Sequence, residues 1–214
     1  SALNYNTSGY GNTASGYRAL ERNNGSLNTA NGYDALRLNS SGYSNTANGY
    51  SALRANTTGV ENTASGLQAL LDNMSGNFNT ALGYDAMRQN TRGSYNTVVG
   101  HSALLSNIDG SGNTVIGYKA DVGSGDLTQA TAIGFGAIAN ASNKIRLGNA
   151  DVTVIEGQVA FSNASDRRLK KDIMDTRYGL NTVLKLRPVD YQMKSNNLEQ
   201  IGFIAQELRP IVPE

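Results

Sequence analysis

The chain has 214 residues, a formal net charge of +1, one histidine and no cysteine. So even a balance lacks the cationic surplus that holds nucleic acid irrespective of sequence, and the missing thiols exclude disulfide staples and thiolate sites. No apolar run approaches the roughly 20 residues that span a bilayer, and with 24 glycines and no tryptophan an ordinary monomeric core is hard to build from residues 1–164.

Residues 1–142 repeat. The string Asn-Thr-Ala-x-Gly-Tyr-x-Ala-Leu starts at Asn12, Asn28, Asn45, Asn62 and Asn79, and recurs in altered form at Asn96, Asn113 and Ala130. The copies lie 17 residues apart, except for a first interval of 16. Ser1-Ala2-Leu3 matches the end of a copy, so the chain reads as a fragment. A period of 17 is too short for a helix pair or a propeller blade. It suits one coil of a β-solenoid, with two short strands and two turns per coil. Polar links such as residues 38–44 supply the turns, and the repeated glycine, Gly16 through Gly134, supplies a bend with φ > 0. At ~4.8 Å per coil, eight coils rise about 38 Å, with Asn and Thr forming ladders along the stack.

The interior of one coil comes from small residues such as Ala14, Ala19 and Leu20, which makes a thin core. Three chains side by side would bury a second face, so the expected state is a homotrimer. The fourth position of the repeat runs Ser15, Asn31, Asn48, Ser65, then Leu82, Val99, Ile116, Ile133, which predicts a change from polar to dry surroundings toward the C-terminal coils. Tyr17, Tyr33, Tyr50, Tyr84 and Tyr118 either pack on the next coil or form a glycan-stacking stripe. His101 replaces the tyrosine of its copy and reads as a surface variant without partners.

These coils resemble the head repeats of trimeric autotransporter adhesins over about residues 1–140. The resemblance implies a left-handed parallel β-roll, assembled as a trimer, that adheres or spaces, with a cell-surface receptor or glycan as partner.

Residues 143–164 leave the repeat. Ile145 and Leu147, Val152 and Val154, and Val159 and Phe161 alternate with polar residues, predicting three short half-buried strands of a β neck. Composition changes again at Ser165: residues 165–214 carry half of the 18 Lys and Arg and all three prolines, as a separate domain. Its pattern predicts a charged turn or helix over 166–174 and a helix over 180–186 stopped by Pro188. Strands over 189–194 and 199–204 follow, joined by a polar turn at 195–197, and a helical turn starts at Ala205.

Three strings stand in order here: Ser165-Asp166-Arg167-Arg168-Leu169-Lys170-Lys171-Asp172-Ile173, Arg187-Pro188-Val189-Asp190-Tyr191, and Ile201-Gly202-Phe203-Ile204-Ala205-Gln206-Glu207. Together they resemble the C-terminal intramolecular chaperone of endosialidase-type phage tail spikes. The resemblance implies the start of a small α+β domain that trimerises, guides folding of the fibre and then cuts itself off. It makes Ser165 the nucleophile, Lys170 the base and Ala164–Ser165 the scissile bond. A serine dyad without histidine needs a neutral lysine. Burial and the neighbouring Arg167, Arg168 and Lys171 favour loss of the proton, whereas Asp166 and Asp172 oppose it. By spacing alone the same two residues read as a helix N-cap and a solvated charge.

The expectation is therefore a mainly β, trimeric, extracellular fibre segment, on a virion tail, an injection device or a bacterial surface. Its catalysis is limited to one self-cleavage, with no cofactor or metal, no nucleic acid as partner and no membrane insertion in this segment. A polysaccharide-degrading spike is the enzymatic alternative, although residues 1–164 lack the clustered carboxylate pair that glycosidases use. An ice-binding solenoid is the third reading, on a threonine ladder one residue wide.

Overall fold

A computed structural model describes residues 1–156, 179–192 and 199–212. The chain divides into two units, Ser1–Asp151 and Val152–Glu214. The first is a parallel β-solenoid of about eight coils. Each coil contributes one three-residue strand: β1 (Thr13–Ser15), β2 (Thr29–Asn31), β3 (Thr46–Asn48), β4 (Thr63–Ser65), β5 (Thr80–Leu82), β6 (Thr97–Val99) and β7 (Thr114–Ile116). After β8 (Asp121–Val122), the series continues in β9 (Thr131–Ile133). The strands stack in register, threonine on threonine, from β1 through β7 to β9.

Alternation along each strand turns the middle residue inward and its two neighbours outward. Ala30, Ala47, Ala64, Ala81, Val98, Val115 and Ala132 are accordingly fully buried. The opposite wall departs from the expected second strand. It is a strand only in the last coils, where β8 pairs in parallel with β10 (Ile138–Ala139). Elsewhere it is a run of turns that buries two consecutive residues, Ala19 and Leu20 in one coil, Ala35 and Leu36 in the next. A strand cannot do this, because its neighbours point to opposite faces. Left-handed backbone at Arg18 (φ 56) and Leu20 (φ 51) turns both side chains inward. The bends therefore do not depend on glycine alone.

Glycine is still required where coils touch. Gly32 has φ 142, and a Cβ there would overlap the carbonyl of Gly49 in the next coil. Gly42 has no positive φ, but a Cβ would overlap both the Gly59 carbonyl and the Asn39 side chain.

The junction also differs from expectation. β11 (Ile145–Leu147) pairs in parallel with β9 and forms the ninth strand of the solenoid sheet, only 14 residues after Thr131. Ladder bonds need backbone geometry rather than the Asn-Thr-Ala string, so the sheet runs on past residue 142. Val152 and Val154 lie in no strand and are about half exposed. Their side chains have left the ladder, and alternation alone does not provide a partner strand. Val159 and Phe161 lie outside the described residues.

The second unit contains α1 (Leu180–Val183), β12 (Val189–Gln192), β13 (Glu199–Gly202) and α2 (Ala205–Leu208). β12 and β13 pair antiparallel, with Val189 opposite Gly202 and Gln192 opposite Glu199. The type and order of these elements match the sequence pattern, and the helix and second strand are shorter than predicted. The segments 166–174 and 195–197 lie outside the described residues.

Candidate functional site

Two columns of buried asparagine hold the coils at fixed height. The leading Asn of the repeat forms one: the Asn45 N–H donates to Asn28 Oδ1 (2.9 Å), and the Asn45 amide donates to the Gly59 carbonyl (2.8 Å). The second column, not anticipated from the sequence, runs through Asn23, Asn39, Asn56, Asn73, Asn90 and Asn107, each fully buried. Asn56 donates to Asn39 Oδ1 (2.7 Å) and to the Gly59 carbonyl of its own turn (3.0 Å). Its signal is the recurring Asn-x-x-Gly, as in Asn39-Ser40-Ser41-Gly42 and Asn56-Thr57-Thr58-Gly59. These chains of amides satisfy one another in a dry interior, where an unpaired amide would be costly.

With the coils so fixed, two outward surfaces are candidates for function. One is the outer face of the long sheet. Its N-terminal half carries Ser15, Asn31, Asn48 and Ser65 beside the threonines, and its C-terminal half carries Leu82, Val99, Ile116, Ile133 and Leu147. These five are each 37–39 % exposed and follow one another strand by strand as an apolar strip.

The other surface is the aromatic column. Tyr17, Tyr33 and Tyr50 stack at 5.2 and 5.3 Å between ring centroids. Leu67 interrupts the series, and Tyr84, His101, Tyr118 and Phe135 resume it at 4.7, 5.3 and 5.3 Å. His101 is thus exposed but not partnerless: its ring lies between two tyrosines, with Nδ1 2.9 Å from the Ser102 hydroxyl. Rings stacked along the column cover one another's faces and turn their edges outward. A sugar stacks on a ring face, so packing onto the next coil is the reading that the geometry favours for this stripe.

Ion pairs in the solenoid run within a coil, as at Arg18 and Glu21, and between adjacent coils. Glu21 accepts from Arg37 (2.8 Å) and Asp109 from Arg92 (2.6 and 2.9 Å). Those guanidinium hydrogen bonds hold both carboxyls below the usual range. Asp121 differs. Burial pushes its carboxyl up, against the lowering effect of bonds from Val122 N–H (2.8 Å) and the Ser106 hydroxyl (2.8 Å).

Ser165, Lys170 and the Ala164–Ser165 bond lie outside the described residues. The two downstream strings lie within them and are brought together. Val189-Asp190-Tyr191 belongs to β12 and Ile201-Gly202 to β13. Arg187 and Glu207, from the start of one string and the end of the other, form a two-pronged ion pair at 2.6 and 3.1 Å. That bond holds the Glu207 carboxyl below the usual range. The Tyr191 ring lies beside Gly202, where a Cβ would meet it in ordinary van der Waals contact at 3.4 Å. Apolar side chains remain uncovered, with Ile201 80 % and Leu184 73 % exposed. Comparison with curated proteins and with solved structures finds no match, while a family model described as the chaperone of endosialidase matches residues 165–214.

Proposed function

We propose that this chain is a segment of a homotrimeric, extracellular fibre. The solenoid projects and attaches, in the manner of an adhesin head or a tail fibre, and the domain beginning at Ser165 guides assembly of the trimer and then releases itself. The family match over residues 165–214, C-terminal to the solenoid and its last strand, is the observation that carries this reading. Two further features support it. The strip from Leu82 to Leu147 offers a second copy a dry face, and Leu180, Leu184 and Ile201 stay exposed among the described residues of the second unit.

Release is an acyl shift followed by hydrolysis. The Ser165 hydroxyl oxygen attacks the carbonyl carbon of Ala164 while neutral Lys170 takes its proton. The C–N bond then breaks as the Ser165 nitrogen gains a proton, leaving an ester that water cleaves to the Ala164 carboxylate and a free Ser165 N-terminus. Mass spectrometry of the full-length product tests it. A new N-terminus at Ser165 is expected in the wild type, and none after Ser165→Ala or Lys170→Arg, since a guanidinium stays protonated. Lys171→Ala should still cleave. Cleavage at another bond, or cleavage surviving Ser165→Ala, would overturn the assignment.

A further inference from the structure

The stacked tyrosines hide their ring faces, and so do Phe78 and Tyr95 at one corner of the coils (5.0 Å), but two tyrosines nearer the start of that corner stack on no other ring among the described residues. There Tyr10, Ser26 and Tyr43 succeed one another in one column. The Leu27 N–H bonds the Tyr10 carbonyl (2.9 Å) and the Ser44 N–H bonds the Ser26 carbonyl (3.1 Å), the ladder steps that set each residue over the last. Ser26 contributes only a hydroxyl, so two phenol rings, 71 % and 48 % exposed, bracket an empty step. The result is a cavity of about 250 Å³ between Tyr10 and Tyr43, floored by Asn24, Ser26, Leu27 and Ser41.

Its dimensions and chemistry select an occupant. Two coil steps amount to about 9.6 Å, and a ring held between two aromatic faces needs about 3.5–4 Å on either side. One six-membered ring fits and two do not. The floor presents donors and no formal charge. The Asn24 side-chain oxygen is already taken by the Thr7 N–H (3.0 Å) and hydroxyl (2.8 Å), which leaves its NH₂ to donate. Ser26 Oγ accepts from the Tyr10 N–H (3.2 Å), which leaves its hydroxyl proton free to point into the slot. The Ser41 hydroxyl has no side-chain bond among the described residues. Apolar walls with a neutral, donating floor suit a ring whose faces are C–H and whose rim is hydroxyl.

We propose that the Tyr10–Tyr43 slot is a glycan subsite that sandwiches one pyranose ring of an uncharged polysaccharide. This deepens the attachment role proposed above and rests on it only in that respect. The test probes an array of neutral and anionic pyranose oligosaccharides with the full chain, then titrates the strongest neutral binder. Tyr10→Ala and Tyr43→Ala should each weaken binding roughly tenfold. Ser26→Tyr should abolish it by completing the stack, with the melting temperature unchanged or raised. Tyr84→Ala, in the covered column, should leave binding intact. A folded chain that binds no neutral glycan, that binds only anionic ones, or whose binding survives Ser26→Tyr overturns the proposal. Oligomeric state and cleavage at Ala164 are scored on the same samples. Loss of binding with both intact removes the slot and leaves the fibre reading in place.

Discussion

Asn56 is fully buried, donates to Asn39 and Gly59, and accepts from Asn73 (2.8 Å). Its amide therefore links three successive coils in a space without water. Asn56→Ala removes these bonds and leaves one Asn73 N–H unpaired beside a void, while the Asn73 amide keeps its bond to the Gly76 carbonyl (3.1 Å). The expected loss is about 4–5 kcal/mol, from three broken bonds at about 1 kcal/mol each plus an unsatisfied buried group at about 1–2 kcal/mol. Asn140→Ala, at an exposed position, should stay within about 0.5 kcal/mol. Guanidinium unfolding of both variants compares them directly. At this scale the sequence is legible where a residue type recurs inside the obvious string. The leading Asn and the Gly32 column could be read off directly. The Asn56 column lies outside that string, in what looks like turn, and a turn-forming Asn and a buried ladder Asn have the same letter. The left-handed Leu20 and Leu36 were not legible, because nothing in a leucine announces positive φ; the next coil's packing imposes it.

At the scale of the coil, the period predicts the stack, the register and the inward face of each strand. It does not predict that the opposite wall is turn rather than strand. That wall buries Ala and Leu side by side, and a short Ala-Leu pair reads the same in either conformation. The outer sheet face carries the more useful prediction. In an isolated chain Ile116 is 39 % exposed, and Ile116→Asp costs little. If a second copy covers the strip, the same change buries a charge at several kcal/mol. Light scattering and melting should show loss of the trimer in Ile116→Asp and a near-normal trimer in Ser65→Asp, at the polar end. An unchanged assembly in Ile116→Asp would remove this face from the interface.

For the whole molecule, the proposed division of labour between the two units implies an order of events. In the proposed trimer, parallel stacking has to close many contacts between distant segments before any of them is stable, and such topologies nucleate slowly and aggregate while waiting. Expression of residues 1–164 alone should therefore yield aggregates. The same segment, freed by protease after the full protein has folded, should melt within a few degrees of the uncleaved fibre. Soluble trimers from the short gene would refute the chaperone role. The family resemblance over residues 165–214 was legible because three strings stand there in order. The placing of Ser165 against Lys170 is not, since it depends on contacts between segments that no pattern of letters contains.

The ladder bonds of the solenoid all run along its stacking direction. A pull applied along that axis opens coils one at a time, as a zip does, instead of shearing them together. Each coil that lets go converts about 4.8 Å of height into about 58 Å of loose chain, the span of one 17-residue repeat. In the proposed fibre, such a stack under drag would lengthen in steps and dissipate work, so the shortness of each strand would give an attached fibre compliance.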